Sequence, residues 1–165
     1  MDIINEAADK FKDKQSELCE FLFKMLREIN ALEREFVARS VKFQEKIPAL
    51  NREQIHAEQT LFWRELRERY GKIVKDKCTE KLLSKPYGSS LYSGITYIFA
   101  DEDFADGTVT FKMKTPKRAD IEVHYKRKTQ DCANRFTLIK QDDKWLVDAH
   151  NWTSDYDNIW HRGHI

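Results

Sequence analysis

The chain has 165 residues, 29 basic against 28 acidic, enough for one domain with its own core but without the basic excess of a dedicated nucleic-acid binder or membrane-surface protein. No apolar run approaches the ~20 residues a membrane helix needs, and Met1-Asp2-Ile3-Ile4-Asn5 shows neither the basic nor the apolar segment of a signal peptide. Cys19, Cys78 and Cys132 are odd in number and lie outside any Cys-x-x-Cys pattern, which predicts free buried thiols in a reducing, cytoplasmic setting.

From Ile3 to about Glu45 there is neither proline nor glycine. Ile4, Phe11, Leu18, Met25 and Leu32 recur every seven residues, and Leu22, Ile29, Phe36 and Phe43 form a second such series. The pattern predicts one long helix with an apolar stripe. That stripe packs on the molecule's own sheet or, alternatively, on a partner or a second copy. At 1.5 Å per residue the helix would run ~60 Å, so a break near Arg39-Ser40 or a projecting end is expected. Pro48 ends the segment. Asn51 reads as an N-cap with Gln54 at the capping-box position. Ile55, Phe62, Leu66 and Ile73 mark a second helix to about Leu83, with a break allowed at Gly71.

Lys85-Pro86-Tyr87-Gly88-Ser89-Ser90 is a turn-rich junction. Beyond it lie candidate strands at 92–99, 108–114, 120–127, 135–140 and 144–152, separated by polar stretches too short for parallel crossovers. Val109, Phe111 and Met113 share one face of the second strand, and Ile121, Val123 and Tyr125 one face of the third. In the fifth, Trp145, Val147 and Ala149 oppose Leu146, Asp148, His150 and Trp152, which makes Trp145 a core anchor. The class is α+β, helices first and one curved antiparallel sheet after.

Helices followed by a curved sheet ending in a Lys-Trp-x-Val-Asp strand resemble the nuclear transport factor 2-like fold. From about Trp63 to Trp160 the chain is similar to the immunity proteins of that fold in bacterial polymorphic toxin systems. The resemblance rests on Phe62-Trp63, Tyr70-Gly71, Cys78-Thr79-Glu80-Lys81, the hairpin 135–148 and Trp160; the long N-terminal helix departs from it. It implies a cone of helices on a curved antiparallel sheet. It further implies a non-enzymatic protein that binds and occludes a cognate toxin domain, protecting the producing cell. The alternative it implies is a small-molecule-binding protein or a ketosteroid-isomerase-like enzyme using the cone cavity.

For such an enzyme the candidate acid–base groups are His124, Asp148 and His150, with Tyr97; the faces assigned above let His124 and Asp148 approach across strands. Asp148 follows a core pattern and a lone strand histidine is commonly a surface residue, so no catalytic residue is expected. Gly88-Ser89-Ser90 and Ser93-Gly94 lack the spacing and lysine of a phosphate loop, and there is no Gly-x-Ser-x-Gly elbow. Asp157, His161 and His164 are metal-ligand types at generic spacing and read as a frayed tail. Neither metal nor cofactor is expected.

Charge is segregated along the chain. Residues 107–130 hold seven basic against two acidic residues, and residues 131–160 six aspartates against three basic residues. The predicted partner surface is the acidic loops and aromatic tail: Asp101, Glu102, Asp103, Asp142, Asp143, Asp155, Tyr156, Asp157 and Trp160. Carboxylates there steer a basic toxin, and the aromatics hold it. Direct nucleic-acid or membrane contact is not expected; a homodimer through the helical stripe is the alternative association.

Overall fold

The computed structural model describes residues 1–84, 96–155, 159–163 and 165. Helix α1 spans Lys14–Lys46 without a break at Arg39-Ser40, about 50 Å of helix. Leu18, Leu22, Met25, Ile29, Leu32 and Phe36 of the two seven-residue series are all buried. Helix α2 spans Arg52–Val74 under the expected cap: Gln54 N donates to Asn51 Oδ1, and Asn51 N donates to Gln54 Oε1, each at 3.0 Å. The last fully buried residue of α1 is Phe36 and the first of α2 is Leu66. Between them, Phe62 and Trp63 still pack against the core, and the stretch from Val37 to Leu61 holds no buried residue and forms a helical arm, the projecting end that the length required.

At the base of the arm, α1 and α2 exchange charges. Arg39 grips Glu65 with two bonds of 2.8 and 2.7 Å, and Arg69 grips Glu35 with two of 2.5 and 2.6 Å. The Arg39 guanidinium lies 4.5 Å from the Phe36 ring centre, and Phe36 meets Phe62 edge-on at 5.0 Å. Helix α2 does not break at Gly71. It ends three residues later at Val74, and a turn leads to the short helix α3, Glu80–Leu83, capped by the Thr79 side chain. Glycine inside a helix costs about 1 kcal/mol relative to alanine, yet nothing lies within 4 Å of where a Gly71 Cβ would sit.

Six strands follow one another in order across a single sheet: β1 (Asp2–Asn5), β2 (Gly107–Thr115), β3 (Arg118–Arg127), β4 (Gln130–Gln141), β5 (Lys144–Ser154) and β6 (His161–Arg162). Two expectations are corrected here. Residues 2–5 are a strand and not the start of the long helix, and β1 pairs with β2 in parallel, Ile3 opposite Val109. The short-connection argument holds for the later strands, all antiparallel; β1 reaches β2 through the whole helical half, which supplies the crossover a parallel pair needs. The candidate strand 92–99 falls partly outside the described residues. Its described end is no strand, because Ile98–Ala100 forms a 3-10 turn. Strand β4 starts at Gln130, so the polar stretch before Arg135 is sheet and not loop. The tail is not frayed where it is described: His161 and Arg162 pair with Trp152 and Asn151, and Ile165 is buried.

The face assignments hold on β2 and β3, where Val109, Phe111, Met113, Ile121 and Val123 are buried. They fail on β5 after Val147. Thr137 pairs with Ala149 but Leu138 with Val147, which leaves Asp148 unpaired as a bulge. One extra residue resets the alternation. His150 therefore turns inward, 5 % exposed and stacked on Phe136 at 4.6 Å, while Trp145 is only half-buried. Cys19 and Cys78 are buried thiols whose pKa burial pushes up to about 12; Cys132 is half-buried.

A polar clamp joins helix to sheet. The Asn30 side chain is fully buried; its Oδ1 accepts from Tyr97 N at 3.1 Å, and its Nδ2 donates to Tyr97 O at 2.8 Å and to Asp101 Oδ1 at 3.0 Å. One turn on, Glu33 accepts from Thr96 N and Thr96 Oγ1 at 2.8 and 2.7 Å. Replacing Asn30 with alanine takes the Asn30 bond from the buried Tyr97 N–H and from the Asp101 carboxylate, and takes one of two donors from the Tyr97 carbonyl, which keeps Ala100 N at 2.8 Å. We expect Asn30→Ala to cost ~2–4 kcal/mol in reversible urea unfolding, since each orphaned group costs ~1–3 kcal/mol; a loss below ~1 kcal/mol would show that the clamp is dispensable.

Candidate functional site

Two groups of residues bear on function: the sheet's titratable side chains and the acidic–aromatic surface. His124 and Asp148 do not meet. His124 lies opposite Ala133, and Asp148 bulges out beside Leu138, two strands away and five residues along the sheet. Each has its own partners. His124 Nε2 lies 2.6 Å from Glu122 Oε1, and Arg135 Nε donates to Glu122 Oε2 at 2.8 Å. Asp148 accepts from Thr79 Oγ1 at 3.0 Å and from Lys81 Nζ at 2.9 Å. It thereby pins the bulge to the start of α3, where Thr79 N donates to Val147 O and Val147 N to Lys77 O.

His150 and Tyr97 do meet, inside the molecule. The Tyr97 ring stands edge-on to His150 at 5.7 Å, and His150 Nε2 lies 2.7 Å from Asn134 Oδ1. Asn134 Nδ2 in turn donates to Tyr125 OH at 3.2 Å. Burial pushes the Tyr125 hydroxyl's pKa up. The backbone of Gly163 passes over the other side of His150, so close that a Cβ there would sit 2.3 Å from Nδ1. This chain of side chains is hydrogen-bonded to itself and walled by Phe99, Phe136 and Gly163. Among the described residues no group of His, Cys, Asp and Glu has the arrangement of a metal site; Asp157 and His164 lie outside them.

The predicted partner surface divides. Asp101 is drawn inward by Asn30 and an ion pair with Arg34, while Glu102 and Asp103 are exposed beside it. Their loop leads into Gly107, which lies in one row with Tyr125, Cys132 and Ser154. Asp155 follows that row and donates its N–H to Asp131 O at 3.0 Å. Asp142 and Asp143 sit at the other end of β4, about 30 Å away at ~3.3 Å per residue. Both have positive φ, 48° and 60°. They form the two-residue hairpin turn that their sequence suits, and Asp143 also pairs with Lys140 at 2.9 Å. Tyr156 and Asp157 lie outside the described residues. Trp160 lies across the Arg135 guanidinium at 4.0 Å and stays 36 % exposed.

Sequence reasoning named Trp152 with Trp160 as exposed aromatic material for an interface, but missed the exposed Ile159 and the Arg135 guanidinium under the Trp160 ring. Trp152 is 42 % and Ile159 59 % exposed, and the His161 ring stacks on Trp152 at 4.6 Å. Only the β5–β6 pairing, which two residues carry, brings these groups to one edge. The chain matches no family model, no curated protein and no solved structure. No helix among the described residues is long and apolar enough to cross a membrane.

Burial pushes the Glu122 carboxyl's pKa up, but the hydrogen bonds and charges of Arg135 and His124 outweigh it and hold the group below its usual value. At Asp148 burial is likewise outweighed, by Lys81 and Thr79. Both carboxylates therefore stabilise the fold above the unfolded range of ~3.9–4.3, and that stability is lost as pH falls through their lower folded values. Urea midpoints recorded from pH 7 to pH 3 should fall steeply for the wild type and less steeply for a Glu122→Gln, Asp148→Asn variant. Parallel curves would mean that neither group is linked to folding.

Proposed function

We propose that this protein is a cytoplasmic bacterial immunity protein with a nuclear transport factor 2-like cone, which neutralises a cognate toxin domain by covering it. The observation that carries the reading is an exposed aromatic edge on a sheet whose inward face is packed by described core residues. Trp152, Ile159 and Trp160 wrap the β5–β6 edge, with Arg135 fixed beneath Trp160 by Glu122. Tryptophan and arginine are the residues that most often anchor protein interfaces. The inward face of the sheet is occupied by Phe111, Phe136, Phe99 and Tyr97, and its polar groups satisfy one another.

The acidic residues divide accordingly. Asp155 stands near the aromatic edge and is suited to steering a basic partner in. Asp142 and Asp143 serve the hairpin turn at the far end. A standard interface buries ~800 Å² per partner, which fits the edge and one loop cluster but does not extend to both ends of the sheet.

The test uses the C-terminal domain of a large secreted protein encoded beside this gene as the toxin. The wild type should bind it and block its toxicity on co-expression; an absence of binding sinks the reading. Trp160→Ala should weaken binding by ~2 kcal/mol or more, mainly through faster dissociation. Asp142→Lys with Asp143→Lys should leave the dissociation rate unchanged. A His124→Gln, Asp148→Asn variant that still folds should protect fully, and loss of protection at unchanged toxin affinity would point to catalysis instead.

A further inference from the structure

Helices α2 and α3, with Ile165 of the tail, line a cleft of about 470 Å³, within the range of small-molecule sites. Its floor is apolar: Tyr70, Val74, Leu82, Leu83 and Ile165, four of them buried by the fold and Leu83 half-buried. Its rim is basic, with Arg67, Lys72 and Lys75 against the single acid Glu68. All four rim residues are exposed.

Gly71 marks the centre of the cleft. Arg67, Gly71 and Lys75 follow at four-residue spacing, so their Cα–Cβ positions stack along one side of α2. A missing side chain between two cations leaves a notch with a charge above it and a charge below. The fold itself does not require that glycine. The helix runs through it unbroken, and a Cβ would meet nothing within 4 Å. An alanine would strengthen the helix and clash with nothing, so the glycine's effect is to keep the notch open.

We propose that this cleft binds an amphiphile with an anionic head, specifically a fatty carboxylate. Its acyl chain lies on Val74, Leu82, Leu83 and Ile165, and its carboxylate lies over Gly71 between Arg67 and Lys75. Apolar floor and cationic rim together select this class: an uncharged chain forgoes the rim, and a compact anion forgoes the floor. Glu68 and Lys72, four apart on the helix, offset each other and leave Arg67 and Lys75 as the head-group pair. This site is separate from the proposed toxin surface and stands or falls independently of it.

The test is isothermal titration calorimetry of the full chain with sodium laurate below its micellar concentration, and with 1-dodecanol as the uncharged control. Laurate should bind at least tenfold more tightly than dodecanol. Gly71→Leu should raise Tm by a few degrees, because it restores a helix-forming residue, and weaken laurate at least tenfold by filling the notch. Arg67→Gln with Lys75→Gln should erase the preference for laurate over dodecanol. Leu83→Glu, which lines the cleft from α3, gives a second route to the same tenfold loss should Gly71→Leu not fold. Equal binding of laurate and dodecanol by the wild type, or unchanged laurate binding in Gly71→Leu or Leu83→Glu, overturns the proposal. So does a wild type that takes up no laurate but forms a dimer that Gly71→Leu abolishes, which would assign the cleft to a second copy of the chain.

Discussion

The architecture turns on how α1 holds the segment that enters the sheet. Asn30 and Glu33 lie one helical turn apart, and Arg34 follows directly. These three side chains bind the backbone of Thr96 and Tyr97 and the carboxylate of Asp101. The Tyr97 N–H donates to Asn30 Oδ1, and its C=O accepts both from Asn30 Nδ2 and from Ala100 N, so Asn30 completes the pairing of a backbone unit that joins no strand. Because they are satisfied, the segment turns under the sheet and delivers Tyr97 and Phe99 against Phe136. A fully satisfied buried polar network fixes one arrangement more sharply than apolar contact does. Apolar packing would accept several depths and rotations of α1 on the sheet; the clamp accepts one.

The bulge at Asp148 is the second fixed point, and it works at the opposite edge. Two different segments complete β5 there. Residues 77–79 bond to Val147 on one side of the bulge, and the tail bonds to His150, Asn151 and Trp152 on the other. A regular strand would present one continuous edge to a single partner. The bulge kinks that edge and adds twist, so each segment meets its own stretch of it. Asp148 binds Thr79 and Lys81 at the junction. Its place in the Trp-x-Val-Asp pattern is therefore explained by topology, without any appeal to chemistry at the carboxylate.

Much of this was legible in the sequence and the rest was not, for reasons that differ by residue. The seven-residue series located α1 because its buried face is helical in period. The Asn51–Gln54 cap was legible because it is a local bond between a side chain and a backbone three residues on. Strand β1 was not, because Ile4 continues the helical series in phase and only pairing with β2, a hundred residues away, makes residues 2–5 a strand. The bulge was invisible for a similar reason. Nothing local at Asp148 marks a skipped pairing, and a single skip inverts every later side chain, which is why His150 was assigned to the wrong face. The aromatic edge depends on β6, two residues too few to carry a period.

The segregation of charge along the chain misleads for a related physical reason. Basic residues crowd β2 and β3 and aspartates the region from 131 to 157, most of them outside β4 and β5, and as a sequence this suggests two surfaces of opposite sign. Antiparallel neighbours fold that segregation onto itself. Lys126 faces Asp131, Glu122 faces Arg135, Lys140 reaches Asp143, and Lys112 reaches Glu6 beside β1. Exposed pairs of this kind contribute little stability, ~0–1 kcal/mol each, but they cancel the field that either half would project alone. What remains uncancelled is local. It includes Glu102, Asp103 and Asp155 at one end of the sheet, Lys114, Lys117, Arg127 and Lys128 around the β2–β3 and β3–β4 turns, and Arg67 and Lys75 on α2, all of them exposed. A partner approaching the sheet face meets near-neutral polarity, so discrimination there falls to shape and to the Trp152–Ile159–Trp160 edge. Electrostatic selection falls to the places where exposed charges of one sign stand together.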